Sequence, residues 1–428
     1  MNRPALPMPA PRRTAARRLS PWAASAALAA SAVLAWPALP ATAATAGRPA
    51  AAPPSGQSVA GWGENDNGEL GTGQASSGFV LLPELASLPP GTRITQVAPG
   101  CSHSLALTST GSVLAWGDNR TGELGNGTTG GFKATPAPVK LPAGVTISSV
   151  AGGCGFSMAV TTTGQLLTWG DNSTGELGTG KTGGNTALPG PASLPPGVTV
   201  RTAAAGEDHA LAVTTAGQVY AWGSNDDGEL GNGSTSGQPN PTPAPVRLPA
   251  GTQVIAATAA EHDSLAVTAG GDVFGWGNQS FGSLGNGQGS GIAPLPVRTL
   301  VPAGLRVRSI YAGCFHTLAI TTTGIVLAWG DNGNGQLGDG QPRQGDSLFP
   351  VHVPLPQDGR AVAVGGGCVH SVALTARGQM LAWGTGVLLG NGGTTSSPVP
   401  VTVRLPAGRI AIGTGGSATG DFSLALLQ

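Results

Sequence analysis

Short apolar runs alternate with glycine-, serine-, threonine- and proline-rich turns along most of the chain. The runs that end in a Trp-Gly pair mark the register. They stop at Trp62, Trp116, Trp169, Trp222, Trp276, Trp329 and Trp383, at intervals of 54, 53, 53, 54, 53 and 54 residues. Each interval holds the same order of parts. After Trp-Gly comes a polar turn such as Asp118-Asn119-Arg120-Thr121-Gly122-Glu123-Leu124-Gly125. A loop of small residues and prolines follows, then the extended pieces Pro138 to Pro142 and Val145 to Val150. Next come the run Phe156-Ser157-Met158-Ala159-Val160, a Thr-Thr-Gly hairpin turn, and Leu166-Leu167-Thr168-Trp169. Runs of this length bounded by turn residues read as strands, so each unit predicts about four of them.

A fixed period of this size marks a repeat architecture, in which each unit buries its apolar faces against its neighbours. The two ends of the array are complementary halves. No strand of the His-Ser-Leu-Ala-Leu type precedes Trp62, whereas Thr419 to Leu426 looks like that strand and has no Trp-Gly after it. The halves complete one unit if the chain closes on itself, which also removes open sheet edges. The expected fold is all-β: a seven-bladed β-propeller of about four-stranded blades over residues 58–428, closed by pairing the N- and C-terminal strands in one blade. The pattern Ala-x-Gly-x-x-His-Ser-Leu-Ala-Leu, followed by Trp-Gly-x-Asn-x-x-Gly-Glu/Gln-Leu-Gly, resembles the regulator of chromosome condensation repeat. That resemblance implies the seven-bladed propeller and leaves the activity open, because function lives in sites grafted on a fold.

Glycine and proline make up about a quarter of the 428 residues and charged residues only 10%, yet 40% of the chain is hydrophobic, which excludes a solvated disordered polymer. Residues 1–43 read as an export signal. Arg12, Arg13, Arg17 and Arg18 form a basic start, Trp22 to Trp36 is an uncharged apolar run, and Ala41-Thr42-Ala43 offers small residues for cleavage. The run is shorter than the ~20 residues that span a bilayer. Residues 44–57 read as a linker, and no later segment looks transmembrane. Cleavage would remove five arginines and no acid, leaving 16 basic and 21 acidic residues. No basic cluster remains after the signal, so nucleic acid is not an expected partner.

The recurring polar residues have structural readings. Asn65, Asn119, Asn172 and Asn225 stand with Glu69, Glu123, Glu176 and Glu229 in turns that lack the ligand spacing of a calcium loop, and side-chain-to-backbone turn bonding accounts for them. Thirteen residues before a Trp stand His103, Phe156, His209, Asp263, His316 and His370. Phenylalanine in that position points to packing with one hydrogen bond. Two residues earlier stand Cys101, Cys154, Glu207, Glu261, Cys314 and Cys368, with Gly420 in the seventh place. An exported chain with four cysteines tends to oxidise, so the expected bridges join successive repeats, Cys101 to Cys154 and Cys314 to Cys368. Small inner-strand packing is the competing reading for these cysteines. Glu207, His209, Glu261, His262 and Asp263 form an ionisable arc on two adjacent blades; they are the candidate metal ligands, but a solvated acidic rim is the favoured reading and no metal or cofactor is expected.

No catalytic set or phosphate-binding glycine loop stands out from the repeat, so the expected role is a secreted, monomeric, non-enzymatic scaffold that binds a protein. Phe132, Lys133, Phe281, Arg343 and Phe349 lie in or near the variable loops and are the candidate anchors, since aromatics and arginine dominate protein contacts. The family resemblance implies two alternatives: a guanine-nucleotide exchange factor acting on a small GTPase, and a secreted inhibitor of the β-lactamase inhibitor type. The export signal, the acidic mature chain and the even spacing, which leaves no room for an inserted wedge, oppose the first. If residues 1–43 are a cleaved signal, N-terminal sequencing of secreted protein will begin near Ala44; an intact Met1 on cytoplasmic protein would overturn the export reading.

Overall fold

Residues 57–341, 345–417 and 419–428 are described by the computed structural model. The strands form seven four-stranded antiparallel sheets. A complete blade is exemplified by β3 (Ile94–Pro99), β4 (His103–Thr108), β5 (Val113–Asp118) and β6 (Phe132–Pro138), hydrogen-bonded in that order. The innermost strands of neighbouring blades touch in a closed ring around the hub. The blade that closes the ring has a different origin. Its outer half is β1 (Ser58–Asn65) and β2 (Ser76–Leu85), and its inner half is Ala411–Gly416 and Phe422–Leu427. Ser58 pairs with Leu427 and Trp62 with Ser423, the closure expected from the half-repeats.

Burial follows the position of each strand in its blade. Every residue of β4 and β5 is buried, because both faces of these middle strands pack against neighbouring blades. The outer strand β6 is mostly exposed and tolerates Pro136 and Pro138 at the sheet edge. All seven Trp-Gly tryptophans are fully buried.

Each indole N–H donates across a blade boundary to a carbonyl in the preceding polar turn. Trp116 reaches Glu69 O at 2.6 Å, Trp169 reaches Glu123 O at 2.8 Å, and at the closing boundary Trp62 reaches Leu388 O at 2.9 Å. The turn is built to present that carbonyl. Asn119 Oδ1 accepts from Leu124 N–H, its amide donates to Thr128 O, and the Glu123 carboxylate accepts from Thr121 N–H. The glycine that ends the turn must be glycine: Gly125 has φ +61°, and a Cβ there would stand 2.8 Å from Trp169 Nε1.

A second bond crosses the same boundary nearer the hub. His103 Nε2 pairs with Ser157 Oγ at 2.8 Å, and Ser157 Oγ donates to Glu123 O, the carbonyl that receives the indole. His209, His316 and His370 repeat this with Ser264, Ser371 and Ser423. Burial pushes these imidazoles down, His103 to about 4, so they stay neutral. The glycine three residues earlier packs against the ring: a Cβ on Gly100 would lie 2.4 Å from His103 Cε1 and 2.6 Å from Gly153 O of the next blade. Three blades depart from the pattern: Phe156 and Phe422 take the histidine position in two of them, and the third changes more. Asp263 replaces histidine, and Ala260 replaces that glycine. The shorter side chain leaves space for the Ala260 Cβ.

Asp263 is buried, and its Oδ1 has no hydrogen-bond partner. Burial pushes its carboxyl from 3.8 up to about 7. The proton is therefore held in the folded protein at pH values where the unfolded chain has lost it. The stability linked to this group is full below about pH 4 and is lost as pH rises through about 7. Asp263→Asn, which cannot ionise, will lose less thermal stability than the wild-type chain between about pH 5 and pH 8. Thermal unfolding followed by circular dichroism at the two pH values measures this, and an unchanged pH dependence would show that another group governs it.

Candidate functional site

In every blade, the turn between the first two strands and the loop between the last two open on the same face. The cysteines and the ionisable arc occupy the turns nearest the hub on this face, and the variable loops surround them.

Cys101 pairs with Cys154, and Cys314 with Cys368, with Cα separations of 4.8 Å and 4.6 Å. Blades of a propeller are separate sheets, yet these turns come close enough because backbone bonds run between them. Cys101 N–H donates to Gly153 O, Cys154 N–H to Gly206 O, and Glu207 N–H to Ala260 O. The small residue before each ring position permits that approach. Thr419 Oγ1 lies 2.9 Å from Cys154 Sγ and also contacts Cys101 Sγ.

Glu207 and Glu261 occupy the arc between the two bridges, and His262 stands beside them. His262 Nε2 lies 3.4 Å from Glu261 Oε1, and its Nδ1 lies 3.6 Å from Asp227 Oδ2. The bond to Glu261 and the surrounding carboxylates hold the imidazole up, at about 9, so it is cationic at neutral pH. Burial and neighbouring acids raise Glu207 and Asp208 as well.

The five candidate metal ligands therefore divide. Glu207, Glu261 and His262 bring one ligand atom each within 4.8 Å of one another. His209 and Asp263 are buried in the blade boundary below them, where His209 bonds Ser264. A proton on His262 supplies positive charge among these carboxylates.

The loop candidates also separate. Phe281 joins the ionisable group. It lies in a short 3₁₀ turn at Ser280–Gly282, 40% exposed, with φ +60°, a backbone state that bulky residues rarely occupy. Its ring stands 5.3 Å from Phe315, which stands 6.3 Å from His262. Phe132 and Lys133 begin β6 and are exposed at the rim, where Phe132 pairs with Asp118. Phe349 belongs to the outer strand Ser347–Val353 rather than to a loop. It sits over Gly287 of the preceding blade, and Leu188 and Leu295 take equivalent places over Gly127 and Gly233. Arg343 lies outside the described residues.

Phe315 and Asp227 complete the site and were not singled out from the sequence. Phe315 follows the cysteine position by one residue, as do Asp208 and His262, and that neighbouring ring was the available signal. Asp227 comes from the polar turn of the blade before His262, and only the blade-to-blade approach brings the two together.

The sequence pattern of the RCC1-like domain family matches residues 58–425. The Ultraviolet-B receptor UVR8 of Arabidopsis thaliana is 32% identical over 334 residues, covering 78% of this chain and 74% of that protein. The human E3 ubiquitin-protein ligase HERC2 is 32% identical over 355 residues, which is 80% of this chain and 7% of HERC2. Among solved structures, yeast RCC1 (Prp20) bound to Kap60 superposes with a TM-score of 0.77 at 25% identity, covering 87% of this chain and 89% of that one. The register of Trp-Gly pairs, the seven four-stranded blades and the match over nearly the whole propeller together show that the chain belongs to the RCC1-like domain family.

Proposed function

We propose that this chain is a secreted, non-enzymatic scaffold that binds a protein partner through the loop face of its propeller. The observation that carries the reading is Phe281. A phenylalanine held at positive φ and 40% exposed stands beside Phe315, which stands next to His262 of the carboxylate cluster, and strain of this kind clusters at functional sites. An aromatic pair flanked by acids suits a partner with an apolar anchor ringed by Lys or Arg. Structural neighbours support a protein ligand: yeast RCC1 (Prp20) has been solved bound to Kap60, and another Prp20 structure is described with its binding to Gsp1p and histones. The even spacing of the Trp-Gly pairs weighs against the exchange-factor alternative.

Affinity capture from the secreted fraction, with mass spectrometry, tests the reading. Wild-type protein will retain a specific protein, and Phe281→Ala will weaken that retention by about tenfold or more, the loss of a central anchor. Thermal stability will change by less than about 0.5 kcal/mol, as at surface sites generally. Retention unaffected by Phe281→Ala would overturn this site assignment, and absence of any specific protein would overturn the scaffold reading.

A further inference from the structure

The two faces of the propeller carry opposite charge. The second face holds the turns between the second and third strands of each blade and the connections between blades. Its acids are Glu84, Asp272 and Asp358, and Asp272 is paired with Arg298. Every other Asp and Glu among the described residues stands on the loop face or on strand ends that reach it. The basic residues are distributed the other way. Arg120, Lys133 and Lys181 lie in loop-face segments, and the side chains of Lys140, Arg247 and Arg404 reach the loops at Gly127, Gly233 and Gly392; acids still outnumber bases on that face.

On the second face, arginines stand at the inner-strand starts of three blades, and Ile410 holds that place in the closing blade between the second and third of them. Arg306, Arg360 and Arg93 each stand immediately before the first strand of a blade, and Arg377 lies in the hairpin turn beside Arg360. All four are exposed. Arg360 and Arg377 line one shallow concavity of about 200 Å³, and Arg93 and Arg409 line another of about 540 Å³. Aliphatic side chains project among them: Leu85, Ile410 and Ile412 are 43%, 52% and 37% exposed.

We propose that this arginine face docks on an anionic phospholipid surface. The end of a propeller is broad and presents its charges side by side, which matches a plane of phosphate headgroups. Several Lys or Arg held at such a surface add their attraction to anionic lipid, and exposed aliphatic tips reach the headgroup boundary. The proposal stands apart from the protein-binding reading of the loop face, and substitutions here leave that face intact.

Flotation of the purified full chain with vesicles decides it. Vesicles of phosphatidylcholine with about 30% phosphatidylglycerol are compared with phosphatidylcholine alone at low salt. The wild-type chain will float at least about tenfold more with the anionic vesicles, and added salt will reduce the difference. The variant Arg93→Glu, Arg360→Glu, Arg377→Glu will lose that preference while its circular dichroism and thermal midpoint stay unchanged. Should charge reversal disturb folding, the milder Arg93→Gln, Arg360→Gln pair will show a partial loss. Equal binding to both vesicles overturns the proposal. So does a preference that survives the substitutions, since it would then arise from residues 1–18. Retention of polyglutamate by the wild-type chain without binding to anionic vesicles also overturns it and assigns the face to an acidic protein.

Discussion

The bond from each buried indole N–H to a carbonyl of the preceding blade is the interaction on which the rest of the propeller depends. A tryptophan brings a large apolar area to the boundary, and its one polar atom must find a partner when buried. The partner is a main-chain oxygen in a turn that serves little other purpose than to hold it there. One carbonyl often serves twice, receiving the indole and a Ser or Thr hydroxyl from the adjacent strand, as Glu123 O does with Trp169 and Ser157. The boundary is thus fixed in height and angle at each step. Repeating it around the hub brings the last strand to the first.

That constraint explains which positions vary. In five of the seven turns an Asn side chain accepts a buried backbone N–H, while Gln279 and Gly386 stand in its place in the other two. The histidine needs only to fill its space and reach one hydroxyl, so phenylalanine or aspartate can stand there at the cost of that bond. Asp263 shows the physical consequence: a carboxyl buried without full hydrogen bonding gives up its charge near neutral pH. The loops beyond the turn carry none of these duties, and the aromatic and charged variety of the chain collects in them.

Charge is sorted by the same geometry. Acids recur in the polar turns because a carboxylate there accepts backbone N–H groups, and all those turns open on one face. Arginines at the starts of inner strands fall on the other. A repeat that places one acid per unit on one side therefore builds a polarised disk with no further design. The two faces present different surfaces to any partner, the loop face acidic and aromatic, the opposite face cationic and aliphatic.

Much of this was legible in the sequence. The spacing of Trp-Gly pairs determines the number of blades, and the complementary ends determine that the closing blade is shared, because a half-repeat has nothing else with which to bury its apolar faces. Equivalent positions in successive repeats also nominated the cysteine pairs. Sequence did not reveal how close two neighbouring turns come: the Cα separations depend on backbone bonds between blades, such as Cys101 N–H to Gly153 O. Nor did it separate His262, which faces Asp227 and Glu261, from His209 and Asp263, which face the blade boundary. A period of 53 or 54 residues gives each residue its height and blade. Only the tertiary structure decides which side chains of adjacent blades meet, because that depends on the distance and tilt between sheets rather than on order along the chain.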